Sequence, residues 1–214
     1  MRSDAACVSL ALLLGACSGS SESGGPAPLS ARAETISRTD SVKAAPGAAA
    51  ATTAPSGDGF CEKTFGPGQK PFVAPVERPI GGVPAAVPTP AGWSYVNLWA
   101  TWCKPCIEEM GLFARWRDGF QREGMGVSFD LWSIDALADE AALKSRVTTG
   151  LPGTVRWVES DAAFATFLDS VGLDKTAAIP IHLLVDPAKN LRCVRVGSIH
   201  PEDYAQVKSF IATH

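Results

Sequence analysis

The sequence predicts an α/β fold in which a central mixed β-sheet is flanked by helices. The apolar run WSYVNLWA at 93–100 is typical of a strand buried on both faces. Helical and strand-like patterns then alternate along the chain, which favours a layered α/β domain. The last two strand-like runs are separated only by the turn DPAKN at 186–190, and this indicates an antiparallel hairpin at one edge of the sheet.

The first elements follow directly from residue 93. After the first strand, apolar residues recur at helical spacing and predict a helix: Ile107, Met110, Phe113, Ala114 and Phe120. Gly124 is a suitable residue to end it. The alternating run at 127–135 predicts the next strand, and Asp139 can cap a short helix that reaches about Val147.

The second half of the domain begins with a short strand at 154–161. Asp161 can cap the following helix, which Gly172 ends. After the hairpin strands, Pro201 suits the first position of a last helix. The order is strand, helix, strand, helix, strand, helix, strand, strand, helix. Helical crossovers imply that the early strands pair in parallel.

The amino terminus has the pattern of an export signal. Arg2 precedes an apolar stretch at 8–14 that is too short to span a bilayer. The run LGAC at 14–17 resembles the lipobox of bacterial lipoproteins, in which the cysteine is diacylated and becomes the first residue after cleavage. We therefore predict a signal peptide over 1–17 that ends at a lipidated Cys17, with an ordinary cleaved signal as the alternative. Two acyl chains would hold the protein on the periplasmic side of a bacterial membrane, inner or outer.

Residues 18–92 divide into a tether and a lead-in. The segment 18–59 contains no aromatic residue and is dominated by small and polar residues, so we predict a disordered linker. The segment 60–92 is rich in proline and glycine without a clear period. Its scattered apolar residues predict that it packs on the edge of the domain at 93–214, partly as short strands.

Length and charge limit the classes of function. The chain of 214 residues is long enough for one domain with a sizeable core, and its net charge is −3. It has no long basic run, so we expect no nucleic-acid partner.

The six cysteines suggest two disulfides. Cys7 would leave with the signal, and Cys17 would carry lipid. Four then remain: Cys61, Cys103, Cys106 and Cys193. An even number in an exported protein favours two pairs. Cys103 and Cys106 form the obvious local pair, which leaves Cys61 and Cys193 for a structural disulfide. Free buried cysteines are the alternative for that second pair.

The local pair lies where a redox motif requires it, directly after a buried strand and at the start of a helix. Unpaired backbone N–H groups and the helix dipole would favour a thiolate at Cys103, and Lys104 adds positive charge. Cys106 lies one helical turn further. A zinc site would need two further ligands at short spacing, and no second CxxC and no HxxxH pattern is present. We therefore expect no metal and no cofactor.

The run VNLWATWCKPCIEEM at 96–110 resembles the active-site segment of thioredoxin-like proteins, specifically the TlpA/ResA-like branch of exported thiol–disulfide oxidoreductases. The resemblance rests on Asn97 and the residues 99–102 before the cysteines, and on Glu109 after them. A second landmark is Ile179-Pro180, where the family has a cis-proline that faces the cysteines. The resemblance covers about 93–213 and implies a thioredoxin-like fold with an inserted strand and helix.

The resemblance also implies roles for three residues of the motif. Cys103 would attack a substrate disulfide, and Cys106 would resolve the mixed disulfide. Glu109 would be a partly buried carboxylate that exchanges protons with Cys106. The neighbouring Glu108 would then face solvent, since only one of the two can point inward. The alternative for Glu109 is an ordinary surface charge.

Further residues would contact the substrate. Pro180 would shape the binding groove, the Ile179 backbone would pair with the substrate strand, and Trp102 would shield the sulfur atoms, although a core tryptophan is the alternative. We interpret His182 as a packed strand residue rather than a ligand or a catalyst.

The function expected from this resemblance is reduction of protein disulfides by an exported, membrane-tethered enzyme. Its partners would be disulfide-containing exported proteins as substrates and a membrane thiol-electron donor. The substrate could be an apocytochrome, another assembly factor or exported proteins in general. Two alternatives use the same fold: a copper carrier, because two thiolates suit Cu(I), and a non-catalytic binding module.

Overall fold

The computed structural model describes residues 59–86 and 91–214, which contain strands and helices. The elements in chain order are β1 (Lys63–Thr64), β2 (Glu77–Arg78), β3 (Trp93–Trp99), α1 (Lys104–Arg122), β4 (Val127–Ser133), α2 (Glu140–Thr148), β5 (Thr154–Val158), α3 (Asp161–Ser170), β6 (Ile181–Val185), β7 (Leu191–Val196) and α4 (Asp203–Thr213). The predicted signal peptide over 1–17, its Cys17 and the linker over 18–59, apart from Gly59, lie outside the described residues.

The strands form one mixed sheet in the order β1-β7-β6-β3-β4-β5-β2. Helical crossovers join β3, β4 and β5, which pair in parallel, because a strand that returns through a helix enters the sheet in the same direction. β6 pairs antiparallel with both β3 and β7. The prediction of a thioredoxin-like α/β fold is confirmed, with α2 and β5 as the inserted helix and strand.

The two faces of the sheet carry separate apolar clusters, because side chains alternate along each strand. On one face, Tyr95 and Trp99 of β3 pack with α1 and α4 in an aromatic-rich core. On the other face, Val96 and Leu98 pack with α3. All seven residues of β3 are buried, as expected for a strand in the middle of a doubly covered sheet.

The lead-in reaches both edges of the sheet. β1 pairs antiparallel with β7 at one edge, and β2 pairs antiparallel with β5 at the other. Between them the chain crosses the α3 face, where the Phe72 ring meets the Phe167 ring edge-on at 6.1 Å. These short pairings cover part of each edge of the longer strands, where unpaired hydrogen-bonding groups could otherwise pair with other chains.

Helix ends differ from the predictions in three places. Ser160, not Asp161, is the N-cap of α3, because the Ser160 hydroxyl accepts a hydrogen bond from the Ala163 N–H at 3.1 Å. α4 begins at Asp203 rather than Pro201, since residues 201–202 form a turn. Asp139 occupies the N-cap position of α2 without a side-chain bond. Among the described residues, no helix is both long and apolar enough to cross a bilayer.

Candidate active site

The cysteine pair lies at the amino-terminal end of α1. Cys103 is the N-cap residue, and its Sγ accepts a hydrogen bond from the Cys106 N–H at 3.3 Å. Lys104 and Pro105 form the first turn, where proline costs no helical hydrogen bond. Cys103 and Cys106 are joined in a disulfide, so the structure shows the oxidised form of the pair.

The two cysteines differ in their access to solvent. Cys103 is 5% exposed, whereas Cys106 is fully buried at 0%. Trp102, next to Cys103 in the chain, is 43% exposed, so it lies at the surface beside the pair and not in the core. Of the two cysteines, only Cys103 therefore keeps any contact with solvent.

Ile179 and Pro180 lie opposite the pair. The Ile179 carbonyl oxygen is 4.0 Å from Cys103 Sγ, and the Ile179–Pro180 peptide bond is cis. The Pro180 carbonyl accepts a hydrogen bond from the Gly197 N–H at 2.9 Å, which holds this loop against the end of β7. Folding thus brings together two segments that are 76 residues apart in the chain.

A buried carboxylate holds the turn between β3 and the cysteines. Asp135 Oδ1 accepts hydrogen bonds from the Thr101 N–H at 3.0 Å and from the Thr101 hydroxyl at 2.7 Å. The Ser133 hydroxyl donates to Asp135 Oδ2 at 2.6 Å. The Asp135 carbonyl accepts from the Trp157 indole N–H at 2.7 Å. Because Thr101 lies two residues before Cys103, Asp135 holds the segment of chain that leads into Cys103.

Glu109 points inward from α1, one helical turn beyond Cys106 and on the same face of the helix. It is only 3% exposed, whereas Glu108 is exposed and lies 3.7 Å from the Lys104 ammonium. Glu109 Oε1 accepts a hydrogen bond from the Ile199 N–H at 2.8 Å. Glu109 Oε2 is buried and has no hydrogen-bond partner among the described residues.

Burial raises the pKa of Glu109 to about 7 from an ordinary 4.5, because an ionised carboxylate loses its hydration there. The Ile199 N–H, the Ser198 side chain and the Arg195 charge favour the ionised form and lower the pKa, but they do not cancel the effect of burial. The negative charge of Asp203 acts in the same direction as burial. Glu109 can therefore gain and lose a proton near neutral pH.

A histidine lies beside this carboxylate. His182 Nε2 is 3.6 Å from Glu109 Oε2, and both side chains are buried. Burial lowers the pKa of His182 to about 3, so the imidazole is neutral at neutral pH. Our interpretation of His182 as a packed strand residue describes its burial, but it overlooks this contact with Glu109.

The second pair of cysteines lies away from this site. Cys61, just before β1, forms a disulfide with Cys193 of β7, a residue 132 positions later in the chain. Cys193 is completely buried in the core. The bond joins the lead-in to the edge of the sheet, beside the pairing of Thr64 with Cys193.

No group of three or more histidine, cysteine, aspartate and glutamate side chains is arranged to hold a metal ion within residues 59–86 and 91–214.

Sequence reasoning missed two residues that shape the site, Asp135 and His182. Both are polar residues within or directly after runs that otherwise predict buried strands. A buried polar residue needs a partner, which is the one signal that could have drawn attention to them. The sequence did not indicate which partner each would have, because Thr101 and Glu109 are far from them in the chain.

Comparison with known proteins finds similar structures only. No protein-family model matches the sequence, and no curated protein is similar to it. Among solved structures, a thioredoxin-related protein from Neisseria meningitidis serogroup B is 21% identical, with 58% of this chain and 88% of that chain covered and a TM-score of 0.48. A thioredoxin-family thiol:disulfide interchange protein from Chlorobium tepidum is 22% identical, with 56% and 80% covered and a TM-score of 0.45. The thioredoxin domain of a thiol-disulfide oxidoreductase from Bacteroides vulgatus is 18% identical, with 56% and 80% covered and a TM-score of 0.44.

Proposed function

We propose that this protein is an exported thiol–disulfide oxidoreductase that reduces protein disulfides through Cys103 and Cys106. The observation that carries the proposal is the unequal exposure of the two sulfur atoms at the start of α1. Cys103 is the N-cap residue and keeps a small exposed fraction of 5%, whereas Cys106 is completely buried. A thiolate at Cys103 would be favoured by the backbone N–H of Cys106 and by the positive end of the helix.

The reaction begins when the reduced Cys103 thiolate attacks a substrate disulfide. A mixed disulfide forms, and one substrate sulfur leaves. Cys106 then attacks Cys103 Sγ, which re-forms the internal disulfide seen in the structure and releases the second substrate sulfur. Glu109 accepts the Cys106 proton in this second step, since its pKa of about 7 makes it a usable base near neutral pH.

The surface around Cys103 would hold the substrate. The extended chain next to the substrate disulfide would pair with the backbone of Ile179, whose carbonyl lies 4.0 Å from the attacking sulfur. Pro180 would shape the groove, and the exposed Trp102 would cover the sulfur atoms once the substrate is bound.

We further propose that lipid on Cys17 tethers the domain on the periplasmic side of a membrane, and that a membrane thiol-electron donor reduces the pair after each turnover. Replacement of Cys17 by serine should move the protein from the membrane fraction to the soluble fraction. Unchanged fractionation would contradict the lipid anchor and leave the redox chemistry untouched.

The test of the chemistry is reduction of insulin disulfides by the purified protein with dithiothreitol. We expect turnover, and a reduction potential for the pair nearer to the value of thioredoxin, about −270 mV, than to that of strong oxidants, about −120 mV. Protein that is inactive but retains stoichiometric Cu(I) after purification would instead be a copper carrier. Protein that does neither would be a binding module.

A matched pair of variants tests the roles of the two sulfurs. Cys106→Ser should accumulate mixed disulfides with substrates, because the attacking sulfur remains and the resolving sulfur is gone. Cys103→Ser should accumulate none. Equal trapping by both variants would contradict the assignment of roles.

A further inference from the structure

A cluster of buried polar side chains lies beneath the redox pair, on the sheet face that α1 covers. Tyr95 and Asn97 are two residues apart on β3 and so share a face, and Asn97 is paired with His182 of β6. All three side chains are fully buried at 0% exposure. The Phe113 ring of α1 packs against both Tyr95 and His182, with ring centroids 5.4 Å and 6.0 Å away.

Hydrogen bonds to Nδ1 determine which nitrogen of His182 carries the proton. Tyr95 Oη lies 3.1 Å and Asn97 Nδ2 lies 3.3 Å from His182 Nδ1. The Asn97 amide nitrogen can only donate, and burial raises the pKa of Tyr95 well above its usual range, so its hydroxyl keeps its proton. Nδ1 is therefore an acceptor, and the neutral imidazole carries its proton on Nε2.

The Nε2–H group has two possible acceptors. The Gly197 carbonyl accepts its hydrogen bond at 3.1 Å, and Glu109 Oε2 lies 3.6 Å away. Oε2 is a buried carboxylate oxygen without a hydrogen-bond partner in the described part of the chain. An ionised carboxylate oxygen in this position is costly unless a donor reaches it. Glu109 Oε2 lies only 0.5 Å farther from His182 Nε2 than the Gly197 oxygen does (3.6 Å against 3.1 Å), so His182 Nε2–H is the nearby donor that can reach it.

We propose that His182 is a positioning residue for the redox reaction, whose Nε2–H turns from the Gly197 carbonyl to Glu109 Oε2 when Glu109 is ionised. This inference rests on the proposed function, and it adds a donor that determines how readily Glu109 serves as the base. His182 itself stays neutral and transfers no net proton.

The step that this contact supports is resolution of the mixed disulfide. The Cys106 thiol gives its proton to the Glu109 carboxylate, and the resulting thiolate attacks Cys103 Sγ. The Cys103–Cys106 bond forms as the Cys103–substrate bond breaks. The electron pair leaves on the substrate sulfur, which takes a proton from water. Two electrons have then passed from the dithiol to the substrate disulfide. Because His182 stabilises the carboxylate before transfer, its loss should raise the pH at which this step becomes fast.

Charged and hydrogen-bonding groups on the elements packed against Glu109 also affect its pKa. Arg195 of β7 favours the carboxylate, Asp203 of α4 opposes it, and the Ser198 side chain favours it. The negative charge of Glu109 contributes to the raised pKa of Tyr95 on β3. The cysteine pair lies on the same helix and is held oxidised in the titration below. The residues that carry these groups are all still present when His182 is replaced, and His182→Gln separates loss of the N–H donor from loss of the ring contact with Tyr95.

The first test is a titration of the Glu109 carboxyl carbon by ¹³C NMR in the oxidised full-length protein, assigned with Glu109→Gln. His182→Leu should raise the titration midpoint by about one pH unit, a tenfold change in proton affinity. His182→Gln, which restores an N–H donor, should recover most of the difference. His200→Gln, at an exposed histidine near the site, should leave the midpoint unchanged. A folded His182→Leu protein with the midpoint of the wild type would overturn the proposal.

The second test uses the wild type, in case His182→Leu fails to fold. The ¹⁵N shift of His182 Nε2 should follow pH with the same midpoint as the Glu109 carboxyl, and the response should disappear in Glu109→Gln. A shift that stays constant through the titration of Glu109 would also overturn the proposal.

These measurements are independent of turnover. If the shifts behave as expected but the protein reduces no disulfide, the proposed function fails and the role of His182 toward Glu109 stands. If the enzyme turns over and the shifts do not respond, His182 has only a structural role.

Discussion

The two disulfides of this protein have the same covalent chemistry and very different surroundings. Cys103–Cys106 joins residues three apart at a helix start, and Cys103 keeps a small exposed fraction of 5%. Cys61–Cys193 joins residues 132 apart, at a sheet edge, with Cys193 in the core. The local bond restricts the unfolded chain little, so it can open at small cost to the fold, whereas the long-range bond restricts it greatly. The comparison indicates that sequence separation and burial decide which bond can be used for chemistry.

The largest effect should follow from loss of the Cys103 sulfur. Cys103→Ser should bring insulin reduction down to the background of dithiothreitol alone, because Cys106, the other cysteine of the pair, is completely buried. The double variant Cys61→Ala, Cys193→Ala should retain activity at low temperature. A double variant that is folded but inactive would contradict the assignment of the redox reaction to Cys103–Cys106 alone.

Loss of the long-range bond should instead reduce stability. Removal of the bridge between Cys61 and Cys193 opens a loop of 132 residues, which the chain-entropy relation values at about 4–5 kcal/mol. Urea denaturation of the double variant against wild type measures this difference. In the wild type, mild reductant should open Cys103–Cys106 first, as peptide mapping after alkylation would show. If the reductant opened Cys61–Cys193 first, the assignment of Cys61–Cys193 as the structural disulfide and Cys103–Cys106 as the redox disulfide would be contradicted.

The redox site should also give stability a distinctive pH dependence through Glu109. Its pKa is raised to about 7 in the folded protein from about 4.5, so between these values the folded state holds a proton that the unfolded state has lost. The contribution of Glu109 to the free energy of unfolding is therefore largest below about pH 4.5 and becomes smaller as the pH rises to about 7. The difference in pKa corresponds to about 3 kcal/mol.

Glu109→Gln removes this decline. The free energy of unfolding of the variant, minus that of wild type, should therefore rise by about 3 kcal/mol between about pH 4 and pH 8. The buried His182 produces the opposite slope, since its pKa of about 3 lies below its usual 6.5, but it is present in both proteins and cancels in the difference. Urea unfolding over this range provides the test. Glu108→Gln should follow wild type, because Glu108 is exposed. Parallel curves for Glu109→Gln and wild type would mean that Glu109 does not titrate as described.

The smallest of these effects concerns the turn before the cysteines. Asp135→Asn keeps the shape but weakens the charge-assisted hydrogen bonds from Thr101 and Ser133, which should cost about 1–3 kcal/mol and slow insulin reduction. Asp169→Asn, at an exposed position on α3, should change stability by less than about 0.5 kcal/mol. If Asp135→Asn equals the Asp169 control in both measurements, the turn is held by other contacts.

Much of the fold could be predicted because local patterns carry it. The apolar run at 93–100 forms β3, which ends one residue earlier at Trp99. The residues with helical spacing after the cysteines lie on α1. The helix starts were less accurate. Ser160 rather than Asp161 caps α3, because either side chain can accept the N-terminal hydrogen bonds and the register of the first turn selects between them. The crossing of the lead-in from one edge of the sheet to the other has no local pattern at all.

By itself the sequence determined the elements from β3 onward, their order and the helix that carries the cysteine pair, since each depends on neighbours within a few residues. The family resemblance indicated that Glu109 rather than Glu108 faces inward. The resemblance already placed Ile179 opposite the cysteines, but only the tertiary structure decided that Asp135 lies beneath Thr101 and His182 against Glu109. These contacts join residues tens of positions apart, and a buried polar group acquires its partner and its pKa from whichever side chains packing brings to it. The chemistry of the site therefore depends on contacts for which no local pattern exists.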